Sequence, residues 1–210
     1  MTTLVLVRHG HTDTAGKRLT GWTPGVRLNA LGREQATRLA ERLDGVRIDA
    51  IVSSPLERCR ETAAPLAKAR GMSVRIRRPW IEVDYGDWTG RPISQLRRTK
   101  LWRTVMAAPS NARFPGGESL LEVQTRAVGA AIALAGEHPR GTVVVVSHAD
   151  VIRLLVAHVS GANADDLHRL SVDTGSISAV SLSSGVPRLL AFNDTGDLAF
   201  LRSRGRKVGG

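Results

Sequence analysis

Cysteine occurs once in the 210 residues, at position 59. That excludes an internal disulfide framework and suits a reducing compartment. No apolar run approaches the roughly 18–20 residues of a membrane span. The first residues run straight into a strand-like pattern and lack the shape of a signal peptide, so a cytoplasmic location is expected. Aromatics are scarce at 4%, which disfavours the stacking platforms of nucleic-acid binders. Lysine stands only at 17, 68, 100 and 207, so the formal charge of +11 is carried almost wholly by arginine. Those arginines are scattered along the chain, and the charge points to small anionic substrates more than to nucleic acid.

What remains is the composition of an ordinary globular domain, 42% hydrophobic and 23% charged. We expect one domain over residues 1–200 and a basic, solvated flexible tail over 201–210. Thr3–Val7 is a nearly continuous apolar run, as in a strand covered on both faces. Apolar residues at 31, 36, 39, 40 and 43 have helical spacing, with Asn29 as cap and Gly45 as stop. Asp49–Val52 reads as a strand, and Ser53-Ser54-Pro55 as the start of a helix reaching about Ala69, with Pro65 disturbing its last turn. Ser73–Ile76 is a short strand. Residues 77–117, rich in proline and glycine, read as an irregular lid of short helices and loops. Glu118–Gly136 is helical, with Glu118 and Glu122 near its positive end. Gly141–Val146 is the strongest strand, followed by helices at 149–159 and 163–170. Strands Ile177–Leu182 and Arg188–Phe192 pair across Ser183-Ser184-Gly185.

Strands alternating with helices indicate an α/β fold, a three-layer sandwich whose mostly parallel sheet has helices on both faces. Ligands of such sheets bind beyond the carboxyl ends of the strands. Arg8-His9-Gly10, Ser53-Ser54 with Arg58, and Ser147-His148 all fall at such ends. Two histidines and two arginines together are costly unless they share an anion, and a phosphoryl group would supply it. The arginines keep His9 neutral and therefore nucleophilic, and their planar forks suit phosphoryl oxygens. A leaving alkoxide needs a proton, and the carboxylates of the 77–90 segment can provide one: Glu82 first, then Asp84 and Asp87.

The ordered motifs resemble the histidine phosphatase superfamily, the fold of cofactor-dependent phosphoglycerate mutases. They are Leu6-Val7-Arg8-His9-Gly10 with Thr12, Thr20-Gly21-Trp22, Leu28-Asn29-Ala30-Leu31-Gly32, and Ser53-Ser54-Pro55-Leu56-Glu57-Arg58 onward to Ala63. Glu82–Gly90, Pro115-Gly116-Gly117-Glu118-Ser119 and Val146-Ser147-His148 complete the set. The resemblance implies that His9 carries the phosphoryl group, that Arg8, Arg58 and His148 complete the phosphate pocket, and that Glu82 is the proton donor. Thr12, Thr20, Gly21 and Ala149 are expected around the substrate, and neither metal nor cofactor is implied. Two departures stand out. Ala15 replaces an asparagine that often binds the phosphate, leaving Thr14 or Thr20 to compensate, and Ala149 replaces a frequent glycine. His11 lies at the mouth of the expected site.

Gly10…Gly16-Lys17 is one residue too long for a phosphate-binding P-loop and continues with Arg18. Cys59 lacks the following arginine of a cysteine phosphatase, having Pro65 there, and reads as packed on its helix. His9-Gly10-His11-Thr12-Asp13 resembles a metal-hydrolase segment but has Thr14 in place of its last histidine. The readings left open are a phosphomonoester hydrolase, a phosphoglycerate mutase-type phosphomutase, a non-catalytic anion-binding module and a metal-dependent hydrolase. The short segment between Gly90 and Pro115 favours the first, because a short lid leaves a phosphohistidine open to water. A homodimer is compatible with the sequence. Arg91, Arg97, Arg98 and Arg103 are candidates for the lid side, and Trp22, Trp80, Trp88 and Trp102 for walls of the site or core.

Overall fold

The computed structural model describes residues 1–182 and 185–196. The expected tail at 201–210, and Ser183-Ser184 of the expected turn, lie outside these residues. Six strands form one sheet: β1 (Thr2–Arg8), β2 (Ala50–Ser53), β3 (Val74–Ile76), β4 (Thr142–Ser147), β5 (Ile177–Leu182) and β6 (Arg188–Asp194). Their order is β3-β2-β4-β1-β5-β6. The first four are mutually parallel, while β5 and β6 run antiparallel at one side.

Why β1 and β4 are continuous apolar runs is plain from their two faces. Leu4, Leu6, Val143 and Val145 enter one core, whereas Val5, Val7, Val144 and Val146 enter the other. The second core is closed by α1 (Ala30–Arg42) and α2 (Glu57–Arg70), through Leu39, Cys59, Ala63 and Leu66. The first is closed by α5 (Leu120–Glu137) and α6 (Ala149–Ser160), and by the lid with its short α3 (Ile93–Leu96) and α4 (Lys100–Ala107). This is the three-layer arrangement expected.

Local details differ from the sequence reading in four places. Ser54 is not the cap residue: Leu56 holds the cap position of α2 without a side-chain bond, and the Ser54 hydroxyl accepts from Leu56 N–H at 3.4 Å while also meeting His148. Pro65 sits inside α2, which continues to Arg70. An interior proline costs about 3 kcal/mol, and burial of the adjacent Leu66 and Ala67 offsets it. Glu118 precedes α5; its capping box is Ser119 with Glu122. The segment expected as a helix at 163–170 is a 3-10 turn over Ala164–Arg169.

Register places the site. Arg8 pairs with Ser147 and Ser53 with Val146, so β1, β2 and β4 end at one level and release His9, Ser54 and His148 side by side.

Candidate active site

His9 is held by its backbone and its ring. Its N–H donates to Ser147 O at 3.0 Å. The following Gly10 donates to Thr62 Oγ1 at 2.9 Å. Gly10 has no alternative here, because a Cβ would meet Gly32 O at 2.5 Å; α1 packs directly on this loop. His9 Nδ1 lies 2.8 Å from Gly10 O. A carbonyl only accepts, so Nδ1 carries the proton and Nε2 of the neutral ring is bare. Burial, and then Arg58 and Arg8, hold the imidazolium well below its usual pKa. Burial leads; the arginines, expected as the main cause, come second.

Arg58 is 1% exposed. Its Nη2 donates to Gly21 O at 2.9 Å and reaches His148 Nδ1 at 3.3 Å. A guanidinium only donates, so His148 Nδ1 accepts and Nε2 carries the proton, directed to Ser54 Oγ at 2.8 Å. Burial and Arg58 depress the His148 imidazolium also. His148 thus turns Nδ1 to Arg58 as an acceptor and its ring proton to Ser54. The His9 and His148 rings lie 5.3 Å apart, edge to face. Arg58 Nε and Nη1, together with Arg8 Nε, are buried without a hydrogen-bond partner. Buried donors left so are costly, and an oxyanion beside His9 would answer them. Arg8 Nη1 is fixed on Val172 O at 2.7 Å.

Glu82, 8% exposed, accepts from its neighbour Val83 N–H at 3.0 Å and lies 3.7 Å from His148 Nδ1. Burial first, and then the charge of Asp150, raise its carboxyl to about 7. A substantial share of it, about half, is therefore protonated near neutrality, which makes it available as a general acid.

Of the remaining expected residues, Gly21 joins the centre through Arg58. The hydroxyl of buried Thr12 pairs with Thr14 at 3.2 Å, while the Thr20 carbonyl accepts from Thr23 N–H at 2.9 Å. Ala149 opens α6, directly after His148. His11 Nδ1 and Asp13 Oδ1 both meet Asn29 Nδ2, at 2.9 and 3.0 Å, so they are tied to the cap of α1. Cys59 Sγ, besides packing in the core, lies 3.4 Å from His148 Nε2. Burial pushes its thiol up to about 12, which leaves it inert.

Several contributors escaped the sequence reading. Arg126, on α5, donates to Pro79 O, Ile81 O and Glu82 O at 2.7, 2.8 and 3.0 Å. The same guanidinium grips both Glu118 oxygens at 2.8 and 3.0 Å, and Glu118 in turn accepts from Asp84 N–H. This staple fixes the strip that carries Glu82, and Trp22 Nε1 adds a bond to Glu82 O at 2.6 Å. Asp150 accepts from Tyr85 Oη at 2.8 Å and from Arg153 Nη1 at 3.0 Å. The tryptophans divide: Trp80 is core, Trp88 stacks on Trp102 at 6.3 Å, and Trp102 lines a cavity beside the site. Arg97 lines that cavity too, whereas Arg91, Arg98 and Arg103 do not.

The sequence profile of the histidine phosphatase superfamily (branch 1) matches residues 4–195. The chain belongs to this superfamily. As a histidine phosphatase it is an enzyme; several of its relatives carry phosphatase names, and others are named as probable phosphoglycerate mutases. It is 30% identical over 205 residues to phosphoserine phosphatase 1 of Hydrogenobacter thermophilus, covering 93% of each chain. Its fold is similar to that of Bacillus stearothermophilus YhfR, with a TM-score of 0.87 and 28% identity over 93% of this chain and 98% of the other. A mycobacterial glucosyl-3-phosphoglycerate phosphatase solved with VO3 superposes with a TM-score of 0.83 and 30% identity, covering 92% and 99%. Among the described residues, no helix of this histidine phosphatase is long and apolar enough to cross a membrane.

Proposed function

We propose that the protein is a phosphomonoester hydrolase acting on a small phosphorylated metabolite through a phosphohistidine at His9. The observation that carries this reading is the state of His9. Its Nδ1 is spent on Gly10 O, its ring is kept neutral, and Arg58 and Arg8 bring buried, unanswered donors to the same place.

His9 Nε2 attacks phosphorus, the bond to the ester oxygen breaks, and the Glu82 carboxyl gives its proton to the departing alkoxide. Arg8 and Arg58 hold the equatorial oxygens throughout, so positioning and charge stabilisation supply most of the acceleration. His148 orients Arg58 through Nδ1 and is itself held by Ser54. In the second half, the Glu82 carboxylate takes a proton from water as that water attacks phosphorus. The N–P bond breaks, phosphate departs, and His9 and Glu82 return to their starting forms.

Phosphate release from a phosphomonoester by the wild type and by His9→Ala tests the proposal, with 3-phosphoglycerate isomerisation measured alongside. We expect release from the wild type alone, outpacing any isomerisation. Equal release from both proteins would refute the nucleophile. Faster isomerisation would turn the reading to a mutase.

A further inference from the structure

Asn193 has a left-handed backbone, with φ +51°. The strand pairing explains why. Ile177 of β5 faces Asp194 of β6, yet Ala179 faces Ala191, so β6 carries an extra residue opposite Ser178. Asn193 N–H leaves the ladder there and donates to Ser178 Oγ at 3.1 Å. A bulge of this kind re-aims a side chain, and asparagine is among the few residues that tolerate the left-handed region.

The re-aimed side chain reaches Asp173, in the loop that leads into β5. Its Oδ1 accepts from Asp173 N–H at 2.6 Å, and its Nδ2 donates to Asp173 Oδ2 at 2.8 Å. That N–H belongs to the same peptide unit as the Val172 carbonyl, which accepts from Arg8 Nη1 at 2.7 Å. A trans peptide is planar, so its N–H and C=O point in opposite directions and turn together. Asn193 and Arg8 therefore hold the two ends of one rigid group. The buried Val172 side chain does not by itself orient it, because a peptide can flip about its flanking bonds without moving the neighbouring side chain. The far end of the loop is tied without Asn193. Gly175 N–H donates to Arg8 O at 3.1 Å, and Ser176 O accepts from Arg8 N–H at 3.2 Å. Arg42 Nη1 also donates to Gly175 O at 3.1 Å. Among the described residues, Val172 O is the one hydrogen-bond partner of the Arg8 guanidinium.

We propose that Asn193 is a positioning residue for the phosphate centre: from the bulge of β6 it sets the peptide between Val172 and Asp173, and through it the direction of the Arg8 guanidinium. The inference rests on the hydrolase reading for turnover and not for phosphate binding. Arg8 holds phosphoryl oxygens in the bound state as well as in the transition state, so its misdirection weakens phosphate itself.

Asn193→Gly tests this while keeping the bulge, since glycine accepts a positive φ. Two readouts are used: calorimetric affinity for inorganic phosphate, which needs no turnover, and kcat/KM for a phosphomonoester across pH. We expect phosphate to bind roughly three- to thirtyfold more weakly, with a similar fall in kcat/KM and no displacement of the alkaline limb set by Glu82. Asn193→Asp brings two carboxylates together and should weaken phosphate at least as much. Adding Asp173→Asn to it exchanges amide and carboxylate, rebuilds both hydrogen bonds, and should restore affinity to within about threefold of the wild type. Unchanged phosphate affinity in Asn193→Gly would overturn the proposal. So would an exchange variant no better than Asn193→Asp alone, because a loss without rescue reports general loosening of the loop. Affinity lost and restored in this way, with no ester hydrolysed by any of the proteins, would uphold the positioning role and refute the hydrolase reading instead.

Discussion

Replacing Glu82 by glutamine should act on stability and on rate with one common cause. A carboxyl moved from 4.5 to about 7 favours its neutral form in the folded protein by about 3 kcal/mol. Between those two values the folded state binds more protons than the unfolded state. Stability therefore falls as pH rises through this window. Below it the term is absent, and above about 7 the loss is complete. Glutamine keeps the shape and never ionises. Urea denaturation of both proteins across about pH 5 to 9 should show Glu82→Gln gaining on the wild type toward alkaline pH, by up to about 3 kcal/mol. Taking the difference cancels the opposite slopes of His9 and His148, whose depressed pKa values are common to both proteins. In kinetics, the wild-type kcat/KM should decline tenfold per pH unit above about 7. Glu82→Gln should lose that limb and be slower by roughly 10²–10⁴-fold. An alkaline limb persisting in Glu82→Gln, or parallel stability curves, would refute the assignment of the general acid.

Arg126→Gln releases three carbonyl oxygens and Glu118. It should lower kcat by roughly ten- to a hundredfold through misplacement of Glu82, while competitive inhibition by inorganic phosphate stays unchanged. Lysine should not rescue it, lacking the planar fork; weakened phosphate inhibition would contradict this positioning role. Gly86→Ala forces a Cβ to within 2.1 Å of Pro115 O at a backbone φ of +49°, and should cost about 2 kcal/mol or more in thermal or urea unfolding. Unaltered stability would contradict the tight join between the Glu82 strip and the lid. Cys59, buried with its thiol pushed up to about 12, should resist iodoacetamide in the folded protein and react only on unfolding. Rapid native alkylation, followed by mass spectrometry, would contradict that environment.

The sheet was legible because the cores on both faces of β1 and β4 demand continuous Leu and Val runs, and periodicity reports burial directly. His9, Arg58 and His148 were legible because strand ends converge in this fold class, whatever the helices do. The Glu82 strip could be nominated by composition, since its carboxylates fall in an irregular stretch. Its fixation could not. Arg126 looks like any arginine on an amphipathic helix, and its partners are carbonyl oxygens, which have no sequence signature. Ser53-Ser54-Pro55 has the look of a helix start, and Ser54 does meet Leu56 N–H there, but its shorter contact is with His148, which no local pattern announces. Arg97 was foreseen on the lid side, yet the apolar lining around it comes from α4, Phe114 and Leu167, distant in sequence and joined only by packing.

The most direct test of the central claim is chemical trapping of the intermediate. Wild-type enzyme is mixed with a ³²P-labelled phosphomonoester, quenched in alkali within one turnover, and digested for peptide mapping. The account predicts an acid-labile, alkali-stable label on the peptide containing His9, absent from His9→Ala. Turnover with no such label, or with the label on another residue, would contradict it.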